Sequence, residues 1–131
     1  DITTVNHLIH VNEYLSEKIV KYCMLFVMRS GITPMWEDPK NRKGGCFSYK
    51  VLNKYVYDIW KALFYSLCGE TLCKKIEYSK LLNGITISPK KNFCIVKIWL
   101  CDCSLQDPSE IIEIPNLSTQ GCLFRKHEPE F

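Results

Sequence analysis

The chain is expected to be α+β. Helical and strand-like periodicities are mixed along it without the strand-helix-strand alternation of a parallel sheet. The clearest helix, "NKYVYDIWKALFYSLCG", stands apart from a strand-turn-strand segment, "LLNGITISPKKNFCIVKIWLC".

The elements follow in chain order. Thr3 or Thr4 can cap a helix, after which Val5, Leu8, Ile9, His10 and Val11 lead into Tyr14 and Leu15 at i, i+3, i+4 spacing. "KYCMLFVM" is a short apolar run rich in strand formers, closed by "RSG". "GITPMWEDPKNRKGG", residues 31–45, has neither period and is expected to be a loop. "CFSYKVL" sets Phe47, Tyr49 and Val51 against Cys46, Ser48 and Lys50, which suits a half-buried strand. In the long helix Val56, Ile59, Trp60, Leu63, Phe64, Leu67 and Cys68 share one face, with Gly69 as its stop. A polar stretch, "ETLCKKIEYSK", precedes the hairpin, whose turn is "PKKN". "DPSEIIEI" allows one or two helical turns beginning at Pro108, and "GCLFRKH" a last short strand.

At 131 residues, 47% apolar and 24% charged, the chain has the make-up of one globular domain. Its apolar runs are far short of a membrane span. A net charge of +3 permits an anionic ligand without predicting a general nucleic-acid binder. Of the eight cysteines, Cys23, Cys68, Cys94 and Cys101 lie in apolar segments, where a thiol acts as a small hydrophobe. "CDC" at 101–103 lacks a second pair to complete a zinc set, so reduced cysteines and a cytoplasmic protein are expected. His7 and His10, one helical turn apart, fit a surface helix better than a metal pair. No nucleotide-binding or nucleophile motif occurs, and neither enzymatic chemistry nor a cofactor is expected.

The loop at 31–45 poses the functional question, since Trp36 is a costly side chain to leave in water. One answer folds it over the core with Glu37 solvated. The other uses Trp36 to stack on a base while Glu37 accepts hydrogen bonds from N1 and N2 of guanine. A positively charged base such as N7-methylguanine would add a cation-π gain of about 0.5 to 2 kcal/mol. Lys90 and Lys91, on the hairpin turn, would meet phosphates.

"GITPMWEDPKNRKGG" resembles the hallmark of the eukaryotic translation initiation factor 4E family, the messenger-RNA cap-binding proteins. "IWKALFYSLCGE" resembles that family's long helix and "NGITISPKKNFCIVKIWL" its hairpin ending at tryptophan, while "TTVNHLIHV" weakly resembles its first helix. The resemblance implies a curved antiparallel sheet with helices on its convex face, and binding of the N7-methylguanosine cap in translation initiation or its regulation. Trp36 would be one of two sandwiching tryptophans, Glu37 would hold the guanine edge, and Met35 would line the slot. Trp99 would approach the N7-methyl group, and Lys90, helped by Lys91, would take phosphate. Val5, Ile9 and Gly69 fall on the family's surface for partners with a Y-x-x-x-x-L-Φ helix, the scaffold factor 4G and the 4E-binding repressors.

The departures bear on affinity. The family's other sandwiching tryptophan lies upstream of the first helix, so residues 1–131 are expected to form one reduced domain without the N-terminal strands. One-sided stacking would cost roughly 1 to 3 kcal/mol, or about ten- to a hundredfold. Cys46 stands where the family has a basic residue, Ile95 where many members have a lysine, and Lys90 where they have arginine. Ile9 replaces a tryptophan on the partner surface. The alternative function is a protein-interaction module or competitor that binds translation factors without capped RNA.

Overall fold

The computed structural model describes residues 24–35, 37–117 and 122–127. Short runs rich in aliphatic and aromatic side chains, with apolar-polar alternation clearest in the second, make the strands: β1 (Leu25–Met28), β2 (Gly45–Leu52), β3 (Leu82–Pro89), β4 (Phe93–Leu100) and β5 (Leu123–Lys126). They form one antiparallel sheet in the order β1-β3-β4-β2-β5. The α+β class is therefore observed. The first-helix segment, with Val5 and Ile9, lies outside the described residues, as does Trp36.

Helix α1 (Asn53–Cys68) covers one face of the sheet. Its stripe of Val56, Ile59, Trp60, Leu63, Phe64 and Leu67 is buried against Phe47, Tyr49 and Val51 of β2 and Ile85, Ile87, Val96 and Ile98 of the hairpin. Each such side chain contributes about 1.5 to 3 kcal/mol on leaving water. Two helix-end expectations need correction. Cys68 does not belong to the stripe but is exposed in the final turn. The second concerns geometry alone, for α1 does stop at Gly69 but with a right-handed φ of −84°. Glu70 takes that conformation at φ 58°, donating its N–H to Leu67 O, while Thr71 N–H reaches back to Ser66 O. This is a Schellman closure with glutamate in the usual glycine place.

The polar stretch after α1 contains a single helical turn, α2 (Ile76–Ser79). "DPSEIIEI" yields only a 3-10 turn, Pro108–Glu110, because the chain leaves it extended at Ile111. Asp107 caps that turn by accepting from Ser109 N–H. The hairpin closes at Lys90, whose N–H donates to Phe93 O at 2.8 Å.

The register places the side chains that follow. Gly84 opposes Trp99, and Trp99 opposes Cys46. A Cβ at Gly84 would strike the backbone and side chain of β1, so only glycine lets that strand pair here. Next to it Asn83 is an extra residue, because pairing jumps from Leu82 to Gly84. Such a bulge re-aims one side chain, and here it turns Asn83 toward the loop at 31–44.

Candidate functional site

The loop between β1 and β2 is held by its own short polar side chains. The Asp38 carboxylate accepts from Thr33 N–H at 2.8 Å and Lys40 N–H at 2.9 Å. Those backbone donors, Thr33 foremost, hold its pKa below the ordinary aspartate value. Arg42 spans the next turn, donating through Nη2 and Nε to the carbonyl of Glu37. Gly31, at φ 81°, makes the left-handed entry to the loop.

Asn41 joins this loop to the sheet. Fully buried, its amide donates to Thr33 O at 2.8 Å and Met35 O at 2.9 Å, and its Oδ1 accepts from Asn83 Nδ2 at 2.7 Å. Its own carbonyl receives Gly44 N–H and a 2.8 Å bond from His127 Nδ1. A carbonyl can only accept, so Nδ1 carries the proton. His127 N–H also donates to Gly44 O. The His127 ring lies 4.9 Å from the Trp99 ring at 48°, and Trp99 Nε1–H donates to Thr86 Oγ1 at 3.0 Å. An unbroken path thus runs from Met35 through Asn41 and His127 to Trp99.

Of the residues the sequence singled out, Met35 and Glu37 are exposed on the loop, while Trp99 is 8% exposed at its end of the sheet. Lys90 and Lys91 are exposed on the hairpin turn. The structure does not bring those lysines beside Trp99. Six residues separate Trp99 from Phe93, the residue paired with Lys90, and at about 3.3 Å per residue that is roughly 20 Å. Gly69 is exposed at the end of α1, off this face.

A closer cation was missed. Lys97 is two residues from Trp99 on the same strand and points to the same face, only about 7 Å away by strand rise. Arg125 of β5 is directly opposite Cys46. Burial pushes the Cys46 thiol up, and the nearby charges of Lys97 and Arg125 partly oppose that shift. Cys46 itself carries no cation, but its neighbours on β4 and β5 do. Period-two alternation back from Trp99 could have marked Lys97. Arg125 depends on a pairing across the chain that no local pattern shows. Asn41, Asn83 and His127 were missed for the same reason. Among the described residues no cluster of His, Cys, Asp or Glu could hold a metal ion.

Comparison with known proteins gives a consistent result. The profile of the family described as eukaryotic initiation factor 4E matches residues 1–125. The eukaryotic translation initiation factor 4E homolog of Acanthamoeba polyphaga mimivirus is 47% identical over 62 residues, covering 47% of this chain and 23% of that protein. Factor 4E-2 of Schizosaccharomyces pombe is 31% identical over 84 residues, covering 63% of this chain and 33% of that protein. The chain therefore spans a third or less of the length of these curated relatives. Among solved structures, Ascaris suum eIF4E-3 with m7G cap superposes at a TM-score of 0.68, with 20% identity over 79% of this chain and 59% of that one. Schistosome eIF4E complexed with m7GpppG and 4E-BP does so at 0.70, with 24% identity over 79% of this chain and 58% of that one. These two likenesses establish the shared fold.

Proposed function

The chain belongs to the eukaryotic initiation factor 4E family, and from that premise we propose that it binds the N7-methylguanosine cap of messenger RNA. The carrying observation is the path that fastens the loop at Met35 through Asn41 and His127 to Trp99. Loop and sheet end are thereby tied together, as a slot for a flat base requires. Trp36 would stack on the methylated guanine, Glu37 would accept from its N1 and N2 donors, and Met35 and Trp99 would complete the walls. The phosphates would first reach Lys97 and Arg125, with Lys90 and Lys91 at the far end of the hairpin.

Tryptophan fluorescence tests this directly. Trp60 is 1% exposed within the core, so a ligand quenches through Trp36 and Trp99. N7-methyl-GTP should quench in a saturable way and unmethylated GTP far less. Equal quenching by both nucleotides would sink the assignment, as would a Trp36→Ala variant that binds as well as the parent.

A partner surface belongs to the same proposal: Gly69 is exposed at the end of α1, and the resemblance assigns Val5 and Ile9 to the same surface. Schistosome eIF4E carries 4E-BP, and Caenorhabditis elegans eIF4E-3, 25% identical at a TM-score of 0.54, carries Mextli. The class of partner is a scaffold factor such as 4G, or a 4E-binding repressor, in the cytoplasm. A Y-x-x-x-x-L-Φ peptide should be retained on the immobilised chain, and a Gly69→Trp variant should lose it.

A further inference from the structure

Among the described residues no helix covers the sheet face opposite α1, where Thr86, Cys46 and Trp99 are buried at the centre and the outer strands are exposed. Cross-strand pairing lines up Phe26, Thr86, Lys97, Ser48 and Leu123 in one row across all five strands. The neighbouring row toward the loop carries Trp99, Cys46 and Arg125, and the row toward the hairpin turn carries Ser88, Ile95 and Lys50. Phe26 is 55% and Leu123 57% exposed. Lys50 stands with its ammonium 4.4 Å from the Phe93 ring centre on the same face.

The charge that the strands give this face has one sign. The five strands contribute Lys50, Lys97 and Arg125 to this face and no carboxylate to either face. Lys90 and Lys91 continue the positive charge past its far end. Aromatic and aliphatic groups set among unopposed cations match a polyanion with flat apolar faces, which is the chemistry of single-stranded nucleic acid.

We propose that this face is a platform for the nucleotides that follow the cap in single-stranded RNA. Phe26 stacks on a base, Leu123 packs against the opposite side of the strand's path, and Lys50 takes a phosphate on the way to the hairpin turn. From the Trp99 row to the Lys50 row is roughly 13 Å along β4, and from β1 to β5 roughly 19 Å, room for a few nucleotides. This inference rests on the cap-binding reading for the direction of the RNA, but not for its contacts.

The experiment compares three probes at low salt: N7-methyl-GTP, a capped RNA of ten nucleotides, and the same RNA uncapped. Capped RNA should bind at least tenfold tighter than N7-methyl-GTP. Phe26→Ser and Lys50→Glu should each remove much of that gain while leaving N7-methyl-GTP affinity unchanged. If the nucleotide alone fails to bind, the cap reading fails. The platform still stands if uncapped RNA binds and both variants weaken it, and it falls if uncapped RNA does not bind. Capped RNA no tighter than N7-methyl-GTP overturns the platform alone. So does a gain that survives both variants, or a dimer of this chain that Phe26→Ser dissolves with no change in RNA affinity.

Discussion

Asn41 shows how much of the site depends on one buried amide. Replacing it with alanine would remove one of the two donors at each of the Thr33 and Met35 carbonyls, and the Oδ1 acceptor of an Asn83 amide that keeps only Lys40 O. Each of the three hydrogen bonds lost contributes about 0.5 to 1.5 kcal/mol net. Asn41→Ala is therefore expected to lose about 2 to 4 kcal/mol in a urea denaturation series, with weaker N7-methyl-GTP binding. Tyr49 is the reverse case. Its hydroxyl is buried without a hydrogen-bond partner, and burial beside the Cys122 thiol drives its ionisation far above the usual phenol range. Tyr49→Phe removes only that orphaned group, so the variant should be as stable as the parent or about 1 kcal/mol more so. A loss above 1 kcal/mol would mean the hydroxyl has a partner. Asp38 adds a pH dependence. Its folded pKa lies below 3.8, so its hold on Thr33 and Lys40 is complete above that value and fades as pH falls through the depressed one. Amide exchange at Thr33 and Lys40, corrected for intrinsic rates, should lose protection only in that acid range. Asp38→Asn should abolish this acid transition.

At the scale of elements, the hairpin, the long helix and the strand after the glycine pair were legible because each writes its period into a short stretch. Phe47, Tyr49 and Val51 are buried and Lys50 exposed, as alternation required. What could not be read locally was any feature fixed by pairing across the chain. Lys97 lies in a readable strand, yet it gains meaning only beside Cys46 and Arg125. The Asn83 bulge is likewise invisible until β3 and β4 are in register. The end of α1 misled for a simpler reason, because Gly69 precedes by one residue the position that needs left-handed backbone. Stability can check this correction. Glu70→Gly relieves a conformation that costs an ordinary residue about 1 to 2 kcal/mol, against loss of the part-exposed Arg29–Glu70 ion pair, about 0 to 1 kcal/mol. The variant should match or exceed the parent's melting temperature. Gly69→Ala, at a right-handed φ, should change stability by less than about 1 kcal/mol. A larger loss there than at Glu70→Gly would return the left-handed position to Gly69.

Across the whole molecule, charge is sorted more sharply than a net value of +3 suggests. The described carboxylates sit on loops and helical turns, such as Asp38, Asp58 and Glu110, while the strands carry cations alone. Such sorting leaves the field of the sheet face uncancelled, and it predicts how binding should respond to salt. For single strands, log K falls with log salt at a slope of about −0.7 for each phosphate neutralised. With Lys97, Arg125 and Lys50 each meeting one phosphate, capped ten-nucleotide RNA should show a slope of about −2. Between 50 and 200 mM salt its affinity would then fall about twentyfold. Lys50→Glu should shallow the slope by about 0.7 or more. Lys61→Glu, on α1 beside the Tyr57 ring and away from the sheet face opposite that helix, should leave it unchanged. A slope that moved equally with both substitutions would mean the RNA reads net charge rather than that face.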